Sequence, residues 1–152
     1  TIIRAGHAFE VTTLREDIAT DGRHAEVRFG RDFRHDAARR DFTVNALSRG
    51  QDGEVHDYFN GLADLAARRV RFIGDPDQRI REDYLRSLRF FRFSARYAEG
   101  LNEDGLAAVI RQRAGLSGLS RERIRQEILK LLMAPRAVSV IAEAEKHGLL
   151  SE

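Results

Sequence analysis

Two short segments of this chain carry side chains whose types and spacing could hold a small polar target. The first segment, residues 39–46, begins with ions and then turns apolar, and the second is residues 82–86. The second segment is predicted to start an amphipathic helix, and residues three apart share one face of a helix. We therefore expect Asp83 and Arg86 to point at the same target, one as an acceptor and one as a fork-shaped donor.

Such a pair predicts selection of one class of nucleobase. Cytosine and adenine both carry an amine beside a ring-nitrogen acceptor, which matches a carboxylate next to a guanidinium. Guanine and uracil present a carbonyl and a ring N–H instead, and each group left unpaired costs about 1–3 kcal/mol. Asp83 and Arg86 would thus favour cytosine and adenine. The alternative interpretation is a plain helical ion pair, which is worth about 0.2–0.5 kcal/mol.

The first segment divides into complementary roles for a nucleotide. Arg40 can clamp a triphosphate oxygen. Asp41 can accept from ribose hydroxyls, which would favour ribonucleotides, and Asn45 can orient the backbone of the same segment. The alternative for the string Arg39 to Asp41 is a salt bridge at the start of a helix.

The chain resembles the class II tRNA nucleotidyltransferases (CCA-adding enzymes) and the related bacterial poly(A) polymerases. The matching segments are FEVTTLR (9–15), RRDFTVNA (39–46), DYFNGLADL (57–65), RFIGDP (71–76), RIRED (79–83) and LSRERI (119–124). The resemblance implies an enzyme that adds CMP and AMP from CTP and ATP to the 3′ end of tRNA, or of another RNA, with Mg²⁺. It also implies that the protein selects the base, that Glu82 holds Arg86 in place, and that Arg89 contacts phosphate.

Two alternatives stay open. One is a poly(A) polymerase of the same superfamily, and the other is a non-catalytic RNA-binding module that keeps the fold. The family's Gly-rich turn and its Asp-x-Asp strand are not found in the sequence, and Arg15 stands where the first of these aspartates is expected. We therefore expect a fragment of a longer enzyme, inactive by itself.

Glu10 is the candidate metal ligand and catalytic residue. It is an acid in an otherwise apolar and Thr-rich strand. It is either a solvent-facing strand residue or, as the resemblance implies, a third carboxylate beside two aspartates that bind Mg²⁺. A lone carboxylate would bind Mg²⁺ weakly, because this ion requires several oxygen donors. The two-metal site is thus predicted to be incomplete in this chain.

The predicted fold class is α+β. A partial nucleotidyltransferase head with short strands and a helix (1–74) precedes an all-helical neck (75–152). In the head we predict a hairpin from residues 1–5 and 8–14, and a polar, mobile loop over 15–37 that includes Asp17 to Thr20. A helix over 35–48 follows, then strands at 55–59 and 70–73 around a turn at Asn60-Gly61 and a short helix at Asp64.

In the neck we predict one helix over 76–97, then helices over 103–113, from Ser120, and over 135–148. Four residues are predicted to face the core: Ile124, Ile128, Leu131 and Leu132. Arg86, Arg89, Arg92 and Arg96 form a basic stripe that is predicted to face a cleft or solvent. Glu122, Arg123 and Glu127 resemble a motif that braces the neck helices.

Composition sets wider limits on the protein. The 26 cations comprise 24 Arg and 2 Lys, and the net charge is +2. Arg suits bidentate phosphate contacts, although a compositional bias would raise Arg in the same way. The absence of cysteine excludes disulfides and thiolate metal sites. No apolar run approaches the roughly 20 residues that span a bilayer, and we expect a cytoplasmic protein.

Overall fold

The computed structural model describes residues 1–20, 25–29 and 32–149, with side chains for residues 1–14 and 32–149. The strands are β1 (Ile2–Arg4), β2 (His7–Phe9), β3 (Arg15–Thr20), β4 (Ala25–Phe29), β5 (Ser48–Arg49) and β6 (Val55–His56). The helices are α1 (Phe33–Ala38), α2 (Gly61–Ala66), α3 (Pro76–Glu82), α4 (Leu85–Tyr97), α5 (Glu103–Arg111), α6 (Arg121–Leu132) and α7 (Ala137–Lys146). The predicted α+β class is confirmed.

The strands form antiparallel pairs of neighbours, β1 with β2, β3 with β4, and β5 with β6. The predicted first hairpin is confirmed, and its turn uses positive φ angles at Ala5 and Gly6. The prediction of a loop over 15–37 is wrong, because β3 and β4 pair as antiparallel strands, with a register shift between Asp17 and Ala19. Their segments are rich in charged residues, which hides the alternation that marks a strand. Residues 21–24, 30 and 31 of that predicted loop lie outside the described residues.

The helix predicted over 35–48 ends at Ala38. The backbone at Phe42 is extended, and Phe42 forms an isolated bridge with Phe72. Thr43 N donates to Arg71 O at 3.1 Å and Ile73 N donates to Asp41 O at 3.0 Å. The predicted strand over 70–73 is therefore reduced to this one bridge. Because residues 41–43 pair with residues 71–73, they cannot continue the predicted helix beyond Ala38.

The predicted turn at Asn60 and the short helix around Asp64 are both confirmed. Asn60 adopts the left-handed conformation, with φ of 60°, directly before α2. A Cβ atom on Gly61 would lie 2.3 Å from the carbonyl oxygen of Thr43. A side chain at position 61 is therefore excluded by the close approach of α2 to residues 43–45.

The helix predicted over 76–97 is two helices, because Asp83 is extended with φ of −157° and ψ of 106°. The Asp83 carboxylate accepts from Leu85 N at 3.1 Å, a local side chain to backbone bond that competes with helix. The remaining neck helices lie close to their predicted positions, with Ser120 capping α6. Leu131 is buried as predicted, but Leu132 is 55% exposed and does not face the core.

One hydrophobic core joins the two predicted parts of the chain. Phe42 is fully buried, and its ring centroid lies 4.9 Å from that of Phe72 and 5.0 Å from that of Phe93 on α4. Aromatic pairs at such distances stabilise beyond their buried area. The boundary after residue 74 stays a prediction. Among the described residues, none of the helices combines the length and the apolar content that crossing a bilayer requires.

Candidate nucleotide site

A buried carboxylate at the end of α1 organises the first candidate segment. Asp36 accepts from Arg39 Nε at 2.9 Å and from Arg40 Nη2 at 3.0 Å. Arg40 also donates to the backbone oxygen of Asn45 at 3.2 Å, and its side chain stays partly exposed. Sequence reasoning missed Asp36, although its spacing of three and four residues from two arginines is the signal of helical ion pairs.

Asp41 is almost completely enclosed, with 4% of its surface exposed. Its Oδ1 accepts from Phe42 N and from Asn45 Nδ2, each at 2.9 Å. Its Oδ2 accepts from Arg89 Nε of α4 at 2.6 Å. Asn45 therefore orients the Asp41 carboxylate, and Arg89 joins that carboxylate to the neck.

The second candidate segment is built around Glu82, the last residue of α3. Its Oε2 accepts from Arg79 Nη1 at 2.7 Å and from Arg86 Nη1, so the predicted contact between Glu82 and Arg86 is present. Arg86 also donates to the backbone oxygen of Arg79 at 2.8 Å. Burial lowers the pKa of the Arg79 guanidinium and the nearby Arg86 lowers it further, against the opposing effect of Glu82.

Arg79 and Arg86 also connect the two candidate segments. Arg79 Nη2 donates to the backbone oxygens of Ala38, at 3.3 Å, and Arg40. Arg86 Nη2 lies 3.4 Å from the backbone oxygen of Arg39. Neck guanidinium groups thus satisfy the carbonyl of the last residue of α1 and those of the two residues that follow the helix. Sequence reasoning did not assign this role to Arg79.

Asp83 and Arg86 do not share a helix face, and that part of the prediction is wrong because α3 ends between Glu82 and Asp83. Asp83 Oδ2 instead accepts from Arg123 Nη2 of α6 at 2.7 Å. Asp83 lines an open pocket of about 400 Å³ between α3, α6 and residues 114–119. Glu82, Tyr84 and Arg123 line the same pocket.

The predicted basic stripe on α4 is mostly paired rather than free. Arg86 binds Glu82, Arg89 binds Asp41, and Arg92 Nε donates to Glu127 Oε2. Glu127 is 4% exposed and also accepts from Lys130. Arg96 alone of the four predicted residues is exposed, with its guanidinium 5.8 Å from the centroid of the Tyr97 ring.

Asp64 of α2 binds the backbone segment that follows Asp41 and the segment that contains Arg69 and Arg71. It is fully buried and accepts from Thr43 Oγ1 at 2.7 Å, Arg69 Nε at 2.9 Å and Arg71 Nε at 2.7 Å. Burial raises the pKa of the Asp64 carboxyl, but the hydrogen bonds from Thr43, Arg71 and Arg69 outweigh burial and lower it below 3.8. Asp64 is therefore an ionised brace for the backbone that follows Asp41.

Glu10 lies just after β2 with an exposed side chain. Within the part of the chain whose side chains are described, there is no group of three His, Asp or Glu residues that could hold a metal ion. Mg²⁺ requires several oxygen donors, so Glu10 with the other described residues does not fit a Mg²⁺ site.

Comparison with known proteins assigns the two parts of the chain. Residues 1–71 match a family model described as "Poly A polymerase head domain". Residues 100–152 match one described as "Probable RNA and SrmB- binding site of polymerase A". These matches cover most of the chain, and the division into a head and a helical neck stays a prediction.

The similar proteins narrow this assignment. The chain is 49% identical over 144 residues to the CCA tRNA nucleotidyltransferase 1, mitochondrial, of Danio rerio, covering 93% of this chain and 33% of that protein. It is 40% identical to the CCA-adding enzyme of Leuconostoc citreum, covering 95% and 37%. Its fold matches the Bacillus stearothermophilus CCA-adding enzyme in complex with CTP with a TM-score of 0.80 and 35% identity, covering 93% and 35%.

The chain belongs to the family of tRNA nucleotidyltransferases and bacterial poly(A) polymerases, a family of nucleotide-transferring enzymes. It spans about a third of the length of the relatives it matches.

Proposed function

We propose that this chain is the nucleotide-selecting part of an enzyme that adds CMP and AMP from CTP and ATP to the 3′ end of tRNA. One observation carries the proposal: Asp83 lines an open pocket next to Glu82, and Glu82 binds Arg79 and Arg86. These two guanidinium groups bind backbone oxygens of residues 38–40 of the head. A volume of about 400 Å³ lies within the usual range for small-ligand pockets, roughly 300–1,000 Å³. The names of the relatives support tRNA and CTP as the substrates.

The contacts support an individual role for each of these residues. Asp83 accepts from the exocyclic amine of cytosine or adenine, and Arg86, which Glu82 orients, donates to the ring nitrogen. The break between α3 and α4 contributes to this recognition, because it places Asp83 at the pocket, where the amine of the base shares Oδ2 with Arg123.

The head and α4 supply the contacts to the rest of the nucleotide. Arg40 has an exposed portion and binds a triphosphate oxygen, and Arg89 contributes a second phosphate contact. Asp41, oriented by Asn45, reads the ribose. A guanidinium carries five N–H donors, so Arg40 can keep its partner Asp36, and Arg89 can stay bonded to one carboxylate, while they bind phosphate.

Glu10 would need further carboxylates to bind the metal ions of nucleotidyl transfer, because the described residues alone do not fit a Mg²⁺ site. Glu10 remains our proposal for a ligand that acts together with carboxylates beyond the described set. The cytoplasmic location also stays a prediction, and the Danio rerio relative carries the word mitochondrial in its name.

The test is calorimetric titration of CTP, ATP, GTP and UTP into the full-length protein and its Asp83→Asn variant. The substitution keeps the size of the side chain but removes the charge and offers an amine that repels the amine of cytosine. We expect wild-type protein to bind CTP and ATP selectively, and the variant to bind both at least tenfold more weakly. Arg125→Ala, which removes an exposed arginine from α6, is the matched control and should bind as wild type does.

Equal binding of all four nucleotides to the wild type, or unchanged selectivity in Asp83→Asn, would contradict the proposal. A non-catalytic RNA-binding module predicts instead that no nucleotide binds and that substitution of Asp83 leaves the affinity for RNA unchanged.

A poly(A) polymerase is the second candidate, because the matched family models carry that description. Product ladders separate the two candidates. A long A tail made from ATP alone would favour the polymerase. Addition that stops after three nucleotides and needs both CTP and ATP would favour the tRNA nucleotidyltransferase.

A further inference from the structure

The carboxylate proposed to read the ribose is occupied in this structure. Both oxygens of Asp41 accept hydrogen bonds, and only 4% of the residue is exposed. Phe42 N and Asn45 belong to the same turn as Asp41, whereas Arg89 comes from α4. Arg89 is therefore the partner that a ribose hydroxyl would have to displace from Oδ2.

A displaced arginine needs another anion, since a partly buried guanidinium without a partner is costly. Glu127 of α6 supplies one. Its Oε1 lies 4.0 Å from Arg89 Nη1, so Arg89 stands between two carboxylates that are each 4% exposed. A small rotation of the Arg89 side chain exchanges Asp41 for Glu127.

The oxygen of Glu127 that faces Arg89 is held loosely. Oε2 is bound by Arg92, but Oε1 accepts from Lys130 Nζ at 3.5 Å, the long limit for such a bond. The Lys130 side chain is 58% exposed. Lys130 and Arg89 thus compete for one oxygen, and the exposed lysine is the weaker competitor.

We propose that Glu127 is a positioning residue for ribose recognition, acting through Arg89. Glu127 accepts the Arg89 guanidinium when a ribose hydroxyl takes its place on Asp41. This inference rests on the proposed function, since it assumes that Asp41 reads the ribose. This exchange favours nucleotides with both ribose hydroxyls, because a nucleotide with fewer hydroxyls displaces Arg89 from Asp41 less effectively.

The proposal predicts opposite signs for two neighbouring substitutions. Lys130→Ala removes the competitor on Oε1 and favours the exchanged state, so CTP should bind about twofold to fivefold more tightly, the range expected for an exposed ion pair. Glu127→Gln removes the charged acceptor, so CTP should bind several-fold more weakly. 2′-Deoxy-CTP should change less in both variants, because it displaces Arg89 poorly.

The experiment measures the dissociation constants of CTP and 2′-deoxy-CTP by calorimetry in the full-length protein. Lys146→Ala is the matched control, because Lys146 is the second lysine of the chain and pairs with Glu143 on α7. Thermal unfolding reports any loss of folding in Glu127→Gln, which also removes the partner of Arg92. Lys130→Ala is independent of that complication.

Unchanged or weaker CTP binding by Lys130→Ala would overturn this inference alone, provided that wild-type protein binds CTP selectively. A purely structural brace at Glu127 gives that result, since it assigns Lys130 no effect on nucleotide affinity. Absence of CTP binding to the wild type would overturn the inference together with the proposed function.

Discussion

Replacement of Asp64 by Asn should weaken the fold around the candidate site without changing its shape. Asp64 is fully buried and accepts from Thr43, Arg69 and Arg71. An Asn side chain has the same size but lacks the charge, and only one of its two terminal atoms can accept. At least one of the three donors must therefore lose its partner.

The magnitude follows from the exposure of the partners. Removal of one member of a buried ion pair costs about 3–5 kcal/mol, because the other charge stays buried without compensation. The side chains of Arg69 and Arg71 are 50% and 39% exposed, so water replaces part of what they lose. We expect the free energy of unfolding to fall by about 2–3 kcal/mol. For a chain of this size that corresponds to a melting temperature lower by roughly 4–12 °C.

Urea unfolding and thermal unfolding between pH 3 and pH 8 would measure this loss. Hydrogen bonds hold the pKa of Asp64 below its ordinary value of 3.8 in the folded state, against the effect of burial. The stabilisation is therefore complete above that value and is lost as the pH falls through the lower, folded-state pKa. The difference between wild type and Asp64→Asn should be constant from pH 5 to pH 8 and shrink below pH 4.

The matched control is Glu99→Gln, which removes an exposed ion pair with Arg68. Such a pair contributes at most about 1 kcal/mol. If Asp64→Asn destabilised the protein no more than Glu99→Gln, or if its effect did not change with pH, the assignment of Asp64 as an ionised brace would be refuted.

Two further predictions concern the pocket and the neck. A Cβ atom on Gly115 would lie 2.0 Å from Cε1 of Tyr84, so Gly115→Ala should displace the ring next to Asp83 and weaken CTP binding by at least tenfold, as calorimetry would show. The control is Gly118→Ala, because Gly118 lines the same pocket and an added Cβ atom would have no other atom within 4 Å. Equal effects of the two substitutions on CTP binding would contradict the predicted clash with Tyr84. Arg111 and Gln112 lower the pKa of Asp77 to about 2. Asp77 should therefore make the wild type more stable than Asp77→Asn by at most about 1 kcal/mol. In thermal unfolding this difference should persist down to pH 4 and disappear near pH 2. Its loss already at pH 5 would exclude the contacts of Asp77 with Arg111 and Gln112 as its source.

The sequence predicted short-range features better than the positions where distant segments meet. The hairpin turn at Gly6, the left-handed Asn60 and the Ser120 cap depend on a few adjacent residues, and all three are present. The helix over 35–48 failed because Phe42 pairs with Phe72, thirty residues away. Local periodicity contains no information about such a bridge, which forms when both rings enter the core with Phe93.

In the candidate site, too, contacts between residues close in the chain were predicted better than contacts between distant residues. The contact between Glu82 and Arg86 was expected from the family resemblance, and it forms across the break at Asp83 rather than within one helix. The partners of Asp41 and Asp83 were not predicted, since Arg89 and Arg123 lie 48 and 40 residues away. An Arg-rich sequence offers many candidate partners for each carboxylate, and only the packing of α4 and α6 selects among them.

Under the proposed function, the contacts of Arg79 and Arg86 hold the two predicted parts of the chain against the same nucleotide. Both guanidinium groups bind Glu82 on the neck and backbone oxygens of residues 38–40 on the head. A shift of the head segment that carries Arg40 must therefore break bonds to charged groups, which are stronger than neutral hydrogen bonds. The start of α4, which we propose to read the base, and the end of α1, which we propose to bind phosphate, are consequently held at a fixed separation. We therefore expect a nucleotide that fits only one of the two ends to gain only part of the binding energy, and this requirement is our proposed basis for choosing between bases without a nucleic-acid template.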